Sequence, residues 1–301
     1  MNEFYLVLIK KDGEIIHNTF ATKHKDLVDK YITPKSIISD DYFKAQYCPK
    51  DGMRLTDVEE YQLIVRETFI PTWFTEEFKN NCIAELEKII QSMFVTTHKS
   101  LVLNEGIILT RTAKIDEVKN SIVFGMYDHS CIRRLDANSE VRAMTDDSTI
   151  DEMLDNSKVI DMWGFTKIFE MHDTSKVVKM FGQAKIEKMF DNSRISTLKG
   201  DATINDMRDQ SEAERLRHMS KVEEMHDHSI IEEMWDWTVV GRMFDQSQIN
   251  YMDDDAKVLE MHDDSMIHEM HGNSVVEELF ENSLVRKLEE KAAILRKQLD
   301  K

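Results

Sequence analysis

A nine-residue repeat runs unbroken from Ser121 to Leu288 and restricts the fold more than any other feature of the chain. Copies beginning at Ser157, Thr166, Ser175 and Ala184 read SKVIDMWGF, TKIFEMHDT, SKVVKMFGQ and AKIEKMFDN. In nineteen successive copies the first residue is Ser, Thr or Ala, the third is Val, Ile or a single Ala, and the sixth is Met or Leu. Columns this strict require a stack of like units in which every layer contributes one side chain of each kind.

The eighth position shows a longer period. Alternate copies carry Asp155, Asp173, Asp191, Asp209, Asp227, Asp245, Asp263 and Glu281 there. The interleaved copies carry Gly164, Gly182, Gly200, His218, Asp236, Asp254 and Gly272. Two nonapeptides therefore make one coil of 18 residues with two different corners. The expected fold class is mainly β: a flattened, two-sided parallel β-solenoid with a small N-terminal α/β domain and a C-terminal helix. Nineteen repeats give about nine and a half coils, a rod roughly 45 Å long at ~4.8 Å per layer. One coil buries about four aliphatic or Met side chains at roughly 1.5–3 kcal/mol each. Ordering its backbone costs roughly 1–2 kcal/mol per residue. A single coil cannot fold alone, so neighbours must supply ladder hydrogen bonds and cover its faces. Fourteen of the nineteen methionines stand in the sixth column, where a flexible thioether fills a core with imperfect register.

The flanks read differently. All three prolines, Pro34, Pro49 and Pro71, precede the repeat, as expected if its backbone N–H groups serve a ladder. Residues 1–100 are expected to form the small α/β domain. EFYLVLI and EIIHNTF alternate around an Asp12-Gly13 turn, residues 24–33 suit a short helix, and YQLIVRETF suits a strand. Phe74, Phe78, Cys82, Leu86 and Ile90 fall at helical spacing, so 74–95 is expected to be an amphipathic helix suited to capping the stack. The solenoid is assigned to 101–288, with 101–120 as irregular first coils. Leu288, Ala292, Leu295 and Leu299 share a helical stripe, so 289–301 is expected to be a helix that caps the rod or pairs with a second copy.

The net charge of −18 disfavours direct binding to nucleic acid or an anionic membrane. Cys48, Cys82 and Cys131 are scattered and suit a reducing compartment, and no signal peptide or membrane-length apolar run stands out. A cytoplasmic location is expected. The excess charge is local: 157–199 holds eight Lys/Arg against five acids, whereas 200–283 holds 22 acids against six bases. Candidate partner-binding acids are Glu223, Glu224, Asp227, Glu232, Glu233, Asp236, Glu260, Asp263, Glu269, Glu277 and Glu278. Rows of fixed carboxylates on a rod would keep it soluble, or would imitate duplex phosphates. Trp235, Trp237 and Phe244 are the candidate aromatic anchors, in a set that would otherwise stack along the rod.

The Asp-x-Ser corner suits an Asx turn, with the carboxylate accepting the Ser N–H two residues on. Calcium is the rival, as in the RTX roll, but there are nine glycines in all and no GGxGxD match. Cys48-Pro49-Lys50-Asp51-Gly52 has half a zinc knuckle without its second Cys. No P-loop, dinucleotide fingerprint, GxSxG or HExxH occurs. No catalytic residue, metal or cofactor is expected.

The repeat, roughly D-N-S-x-V-x-x-M-x, resembles nonapeptide-repeat solenoid proteins of phages and prophages, in which a run like DNATVxxVY follows a small α/β segment. This chain has Ser and Met where that family often has Ala-Thr and Val or Tyr. The resemblance implies a fold and no activity. In architecture alone the chain is similar to pentapeptide-repeat proteins, some of which are acidic DNA mimics that dimerise through a C-terminal helix; the pentapeptide itself is absent. These readings lead to an expected non-enzymatic inhibitor in a host cytoplasm. Its partner would be a host protein with a basic surface, a nucleic-acid-processing or defence enzyme. A homodimer through the C-terminal helix is the second expected contact. A virion fibre or decoration protein is the alternative.

Overall fold

The computed structural model describes residues 4–21, 23–32, 41–65, 67 and 70–298. The chain divides into two compact units, 1–94 with 105–108, and 95–104 with 109–301.

The N-terminal unit holds a four-stranded antiparallel sheet built from β1 (Leu6–Lys10), β2 (Ile15–His17), β3 (Tyr42–Pro49) and β4 (Tyr61–Val65), in the order β2-β1-β3-β4. The β1–β2 hairpin closes at Asp12-Gly13 as its sequence indicates: Gly13 N–H donates to Lys10 C=O at 3.0 Å and Asp12 Oδ1 accepts the Glu14 N–H at 3.0 Å. α1 (His24–Tyr31) buries its Leu27 in a cluster with Leu6, Leu8 and Ile16. α2 spans Glu76–Ser92, shorter than the apolar stripe, because Thr75 caps it by accepting the Phe78 N–H. Phe74, left outside the helix, packs against Phe43 with ring centroids 4.3 Å apart. Of the expected strand YQLIVRETF, Arg66, Thr68 and Phe69 lie outside the described residues.

The repeat folds into two parallel sheets of twelve strands each. The first sheet begins at Lys99–Leu103 and ends at Ala293–Lys297; the second ends at Leu284–Leu288. Eleven spacings of ~4.8 Å make the first sheet about 53 Å long. Pairing joins residues 18 apart, such as Ile132 with Ile150 and Val159 with Val177. Before Ser121 the step shortens: Ile132 pairs with Ile115 and Val118 with Val102. The irregular first coils are thus coils of 17 and 16 residues, and for that reason the columns dissolve there.

From Val123 to Val276 every third- and sixth-position side chain is fully buried. Two inward side chains three residues apart break strict alternation. The fourth and fifth residues consequently both point outward, as in Lys158–Met162, where only Val159 and Met162 are buried. The first-position Ser, Thr or Ala is buried at the corner, where a larger side chain would collide with the turn.

The expected C-terminal helix does not form. Ala293–Lys297 is a strand paired to Val275–Leu279, with Ile294 opposite Val276. Ala292 and Ile294 still occupy the small and aliphatic columns, and the free edge of the preceding coil offers a template of hydrogen bonds. A helix of under four turns has no comparable partner and is marginal alone. Leu299, Asp300 and Lys301 lie outside the described residues.

The core makes a stability prediction. Ile231→Ala empties a fully buried site and should lower unfolding stability by about 2–5 kcal/mol. Met234→Leu keeps the volume and should cost less than about 1.5 kcal/mol. Urea midpoints of the two variants check the difference.

Candidate functional site

The acidic surface starts from the corners. At every eighth position the backbone is left-handed, with φ of 52° at Asp155, 54° at Asp191 and 56° at Asp227. Among side-chain-bearing residues, Asp and Asn tolerate this region best. A tight turn follows, in which Ser157 N–H donates to Leu154 C=O at 3.1 Å and Ser175 N–H to His172 C=O at 3.1 Å. The ninth-position N–H reaches the preceding coil, as Asn192 donates to Asp173 C=O at 2.9 Å.

The expected Asx turn is not the arrangement found. The serine N–H is already used by the turn, and the carboxylate looks along the rod instead. Asp173 Oδ2 accepts the N–H of Asp155 at 3.0 Å, Asp191 that of Asp173 at 3.0 Å, and Asp209 that of Asp191 at 3.1 Å. The series continues through Asp227, Asp245 and Asp263 at 3.1–3.2 Å and closes on Glu281. In the left-handed conformation the N–H points toward the next coil, and a short carboxylate there satisfies it. This is why the row is acidic throughout. The mixed corner uses the same device where it has the residues: Asp236 accepts the His218 N–H at 2.9 Å and Glu290 accepts the Gly272 N–H at 3.0 Å. Gly272 has no room for a side chain, because a Cβ would meet Asp253 Oδ1 at 2.6 Å; that oxygen already serves the Asp254 N–H. At its upper end the ladder changes: Asp136 takes the Ala137 N–H and meets the Asp155 carboxyl. That contact raises the Asp155 carboxyl above its ordinary range. Burial opposes ionisation of Asp136, yet the Ala137 N–H, Asp155 and Lys119 hold it below the usual range.

The eleven candidate acids do not share one face. Glu223, Glu224, Glu260, Glu277 and Glu278 lie on the first sheet, and Glu232, Glu233 and Glu269 on the second. Asp227 and Asp263 stand at the acidic corner and Asp236 at the other. Successive nonapeptides alternate sides, so the expected acidic face is a girdle around the rod. Many of its members have local partners. Glu224 pairs with Arg242 and, at 3.3 Å, with His226; Lys221 reaches Glu223 at 2.8 Å; Arg296 reaches Glu278 at 2.7 Å. Asn250 donates to Glu232 at 2.7 Å.

The aromatic candidates are also separated. Phe244 stands at the acidic corner, stacked between His226 and His262 with centroids 4.8 and 5.0 Å away. Phe280 extends the stack beyond His262 at 4.5 Å. Trp235 and Trp237 occupy the mixed corner, where Trp235 lies against Arg217 at 5.1 Å and Tyr251 at 5.2 Å and donates to Glu233 at 3.1 Å. Trp237 is 63 % exposed. The interleaving of His with Phe at 18-residue spacing was visible in the seventh column once the coil length was known.

Among the described residues no three His, Cys, Asp or Glu side chains group as metal ligands, and no helix is long and apolar enough to cross a membrane. A shallow cleft in the N-terminal unit, lined by Lys10, Lys11, Asp12, Tyr31, Ile32, Asp41 and Tyr42, offers no nucleophile with an adjacent base. The fold defines the class, a two-sided parallel β-solenoid with 18-residue coils. Comparison with protein-family models, with curated proteins and with solved structures finds no match to this chain.

Two outcomes follow from the corner chemistry. Asp227→Ala places a Cβ-bearing residue without a carbonyl acceptor at a left-handed position and should cost about 1–2 kcal/mol. Asp227→Asn keeps both the conformation and an acceptor oxygen and should cost less than half as much in the same urea unfolding experiment. Tyr251 donates to Asp253 at 2.7 Å, and that bond, with burial, pushes its phenol up to about 12 from an ordinary 10. The protonated form is favoured in the fold. Its contribution is therefore complete below pH ~10 and fades as pH rises toward about 12. Ultraviolet titration should show that Tyr251→Phe removes one late-ionising tyrosine.

Proposed function

We propose that the chain is a non-enzymatic interaction module whose acidic coils occupy the nucleic-acid groove of a basic protein. The observation that carries this reading is charge density. Residues 200–283 place 22 acids and six bases on under five coils, roughly 22 Å of rod. A duplex of that length carries about 13 phosphate charges, at one per ~1.7 Å. The net of −16 over those residues is of the same order. Because the carboxylates encircle the rod, the fitting partner has a groove that embraces a duplex rather than a flat basic patch. The ladder holds the corner carboxylates in place before binding, so little side-chain order is lost on association. The phage-type character of the repeat makes a host nucleic-acid-processing or defence enzyme the partner class, met in the host cytoplasm, and inhibition by exclusion of DNA the consequence.

The test is capture from host lysate at low and high salt, followed by duplex competition with the captured protein. The expected partner is lost at high salt and releases duplex DNA when the rod is added. Replacing Glu223, Glu224, Glu232 and Glu233 by Gln removes outward charge without touching the core. It should weaken capture at least tenfold, as expected for several steered ion pairs. Equal capture by that variant, or simultaneous binding of rod and duplex, would sink the proposal.

A further inference from the structure

Between residues 121 and 283 the large apolar side chains left exposed are Trp163, Phe165, Phe169, Met219 and Trp237. All but Phe169 stand at the mixed corner, on one edge of the rod, within five consecutive layers. The corner triplets of those layers read Trp163-Gly164-Phe165, Phe181-Gly182-Gln183, Lys199-Gly200-Asp201, Arg217-His218-Met219 and Trp235-Asp236-Trp237. The order is self-complementary about Gly200. The two Trp-containing triplets lie two layers, about 9.6 Å, to either side of it.

We propose that this edge is an isologous interface between two antiparallel copies of the chain, related by a two-fold axis at Gly200. The seventh-position side chains lie toward the second sheet and the ninth-position ones toward the first, and a two-fold axis normal to the sheets keeps those sides together. It sets Trp163 against the partner's Trp235 and Phe165 against the partner's Trp237. One layer in, Phe181 meets the partner's Arg217, and Gln183 meets the partner's Met219. At the axis the two Lys199 side chains share one side and the two Asp201 side chains the other, the one layer where the pairing sets like charge beside like. The two ends of the patch differ in a way that suits the pairing. Trp163 and Phe181 are already stacked, with centroids 4.0 Å apart and planes 17° off parallel, and form a flat aromatic platform. Gly164 and Gly182 leave the backbone bare beside it, which gives space to Asp236 and His218 of the facing copy. The opposing end carries a cation, Arg217, already lying over a ring. Cations set back from the edge, which would face like charge, are paired within their own copy: Lys179 with Asp161 at 3.8 Å, Lys185 with Glu187 at 3.2 Å and Lys221 with Glu223 at 2.8 Å.

Five layers of edge, about 24 Å long and roughly 15 Å wide, give some 360 Å² per copy, against ~800 Å² for a standard interface. The dimer is accordingly weak and concentration-dependent. It rests on observations separate from those behind the proposed partner, and in it Trp235 and Trp237 face a second copy, not the basic protein.

Sedimentation equilibrium over a wide concentration range should show monomer and dimer in exchange. Phe165→Ala with Trp237→Ala, both at exposed positions, should raise the dimer dissociation constant at least about tenfold, as loss of aromatic anchors does. Circular dichroism confirms that this variant folds. Cysteine cross-linking reads the symmetry. Asp201→Cys lies by the axis and should cross-link to itself. Phe165→Cys alone should not, because its counterpart is about 19 Å away, four layers along. Mixed Phe165→Cys and Trp237→Cys chains should form the heterologous cross-link, with the unsubstituted chain and its Cys48, Cys82 and Cys131 as the baseline. A chain that stays monomeric at every concentration overturns the proposal. So does self-cross-linking of Phe165→Cys equal to that of the mixture.

Discussion

The structure depends on how one backbone N–H is satisfied. Each coil must reverse direction twice within a few residues, and the left-handed eighth residue that makes this possible turns its N–H out of the turn and toward the next layer. At the acidic corner the carboxylate of the next coil accepts it, from Asp155 through Glu281. The corner of one coil is therefore completed only by its neighbour. The same holds for the strands, whose ladder bonds and buried Val, Ile, Met and Leu side chains all lie between layers. Cooperativity along the rod follows from this, because no coil has a full set of partners by itself.

The ladder also decides the electrostatics. Acids at the corner are present because the turn needs an acceptor, and their summed field is a consequence. Charge that the backbone does not require lies at the fourth and fifth positions, which both face outward because the buried residues are spaced three apart. There the sequence is free to vary, and it does so with position along the rod: bases between 157 and 199, acids beyond 200. One regular scaffold thus carries two electrostatic regions and an edge of exposed aromatics, each produced by substitutions that leave the core columns intact.

The C-terminal strand shows the strength of the template. Leu288, Ala292 and Leu295 fit a helical stripe as well as a strand, and local periodicity cannot separate the two over so short a span. The free edge of Val275–Leu279 settles the matter, since it offers preformed hydrogen bonds and an aliphatic column for Ile294 to join. Glu290, the eighth residue of the last copy that keeps the Met/Leu column, takes the corner role at φ 57° and completes the ladder for Gly272.

By itself the sequence determined the coil length, the two-sidedness, the buried columns and the hairpin at Asp12-Gly13. Those features are repeated or local, and a repeated constraint leaves a column wherever one residue type satisfies it. Tertiary structure alone decided the partner of each corner carboxylate, because an N–H on another coil and one two residues away place the same demand on an Asp. The candidate acids read as one face when taken as a list of residues, although the 18-residue coil already assigns successive nonapeptides to opposite sides and so makes them a girdle. The strand at Ala293–Lys297 was hidden for the same physical reason as the carboxylate partners: its hydrogen-bond partners come from a coil 18 residues earlier, and a local pattern carries no record of them.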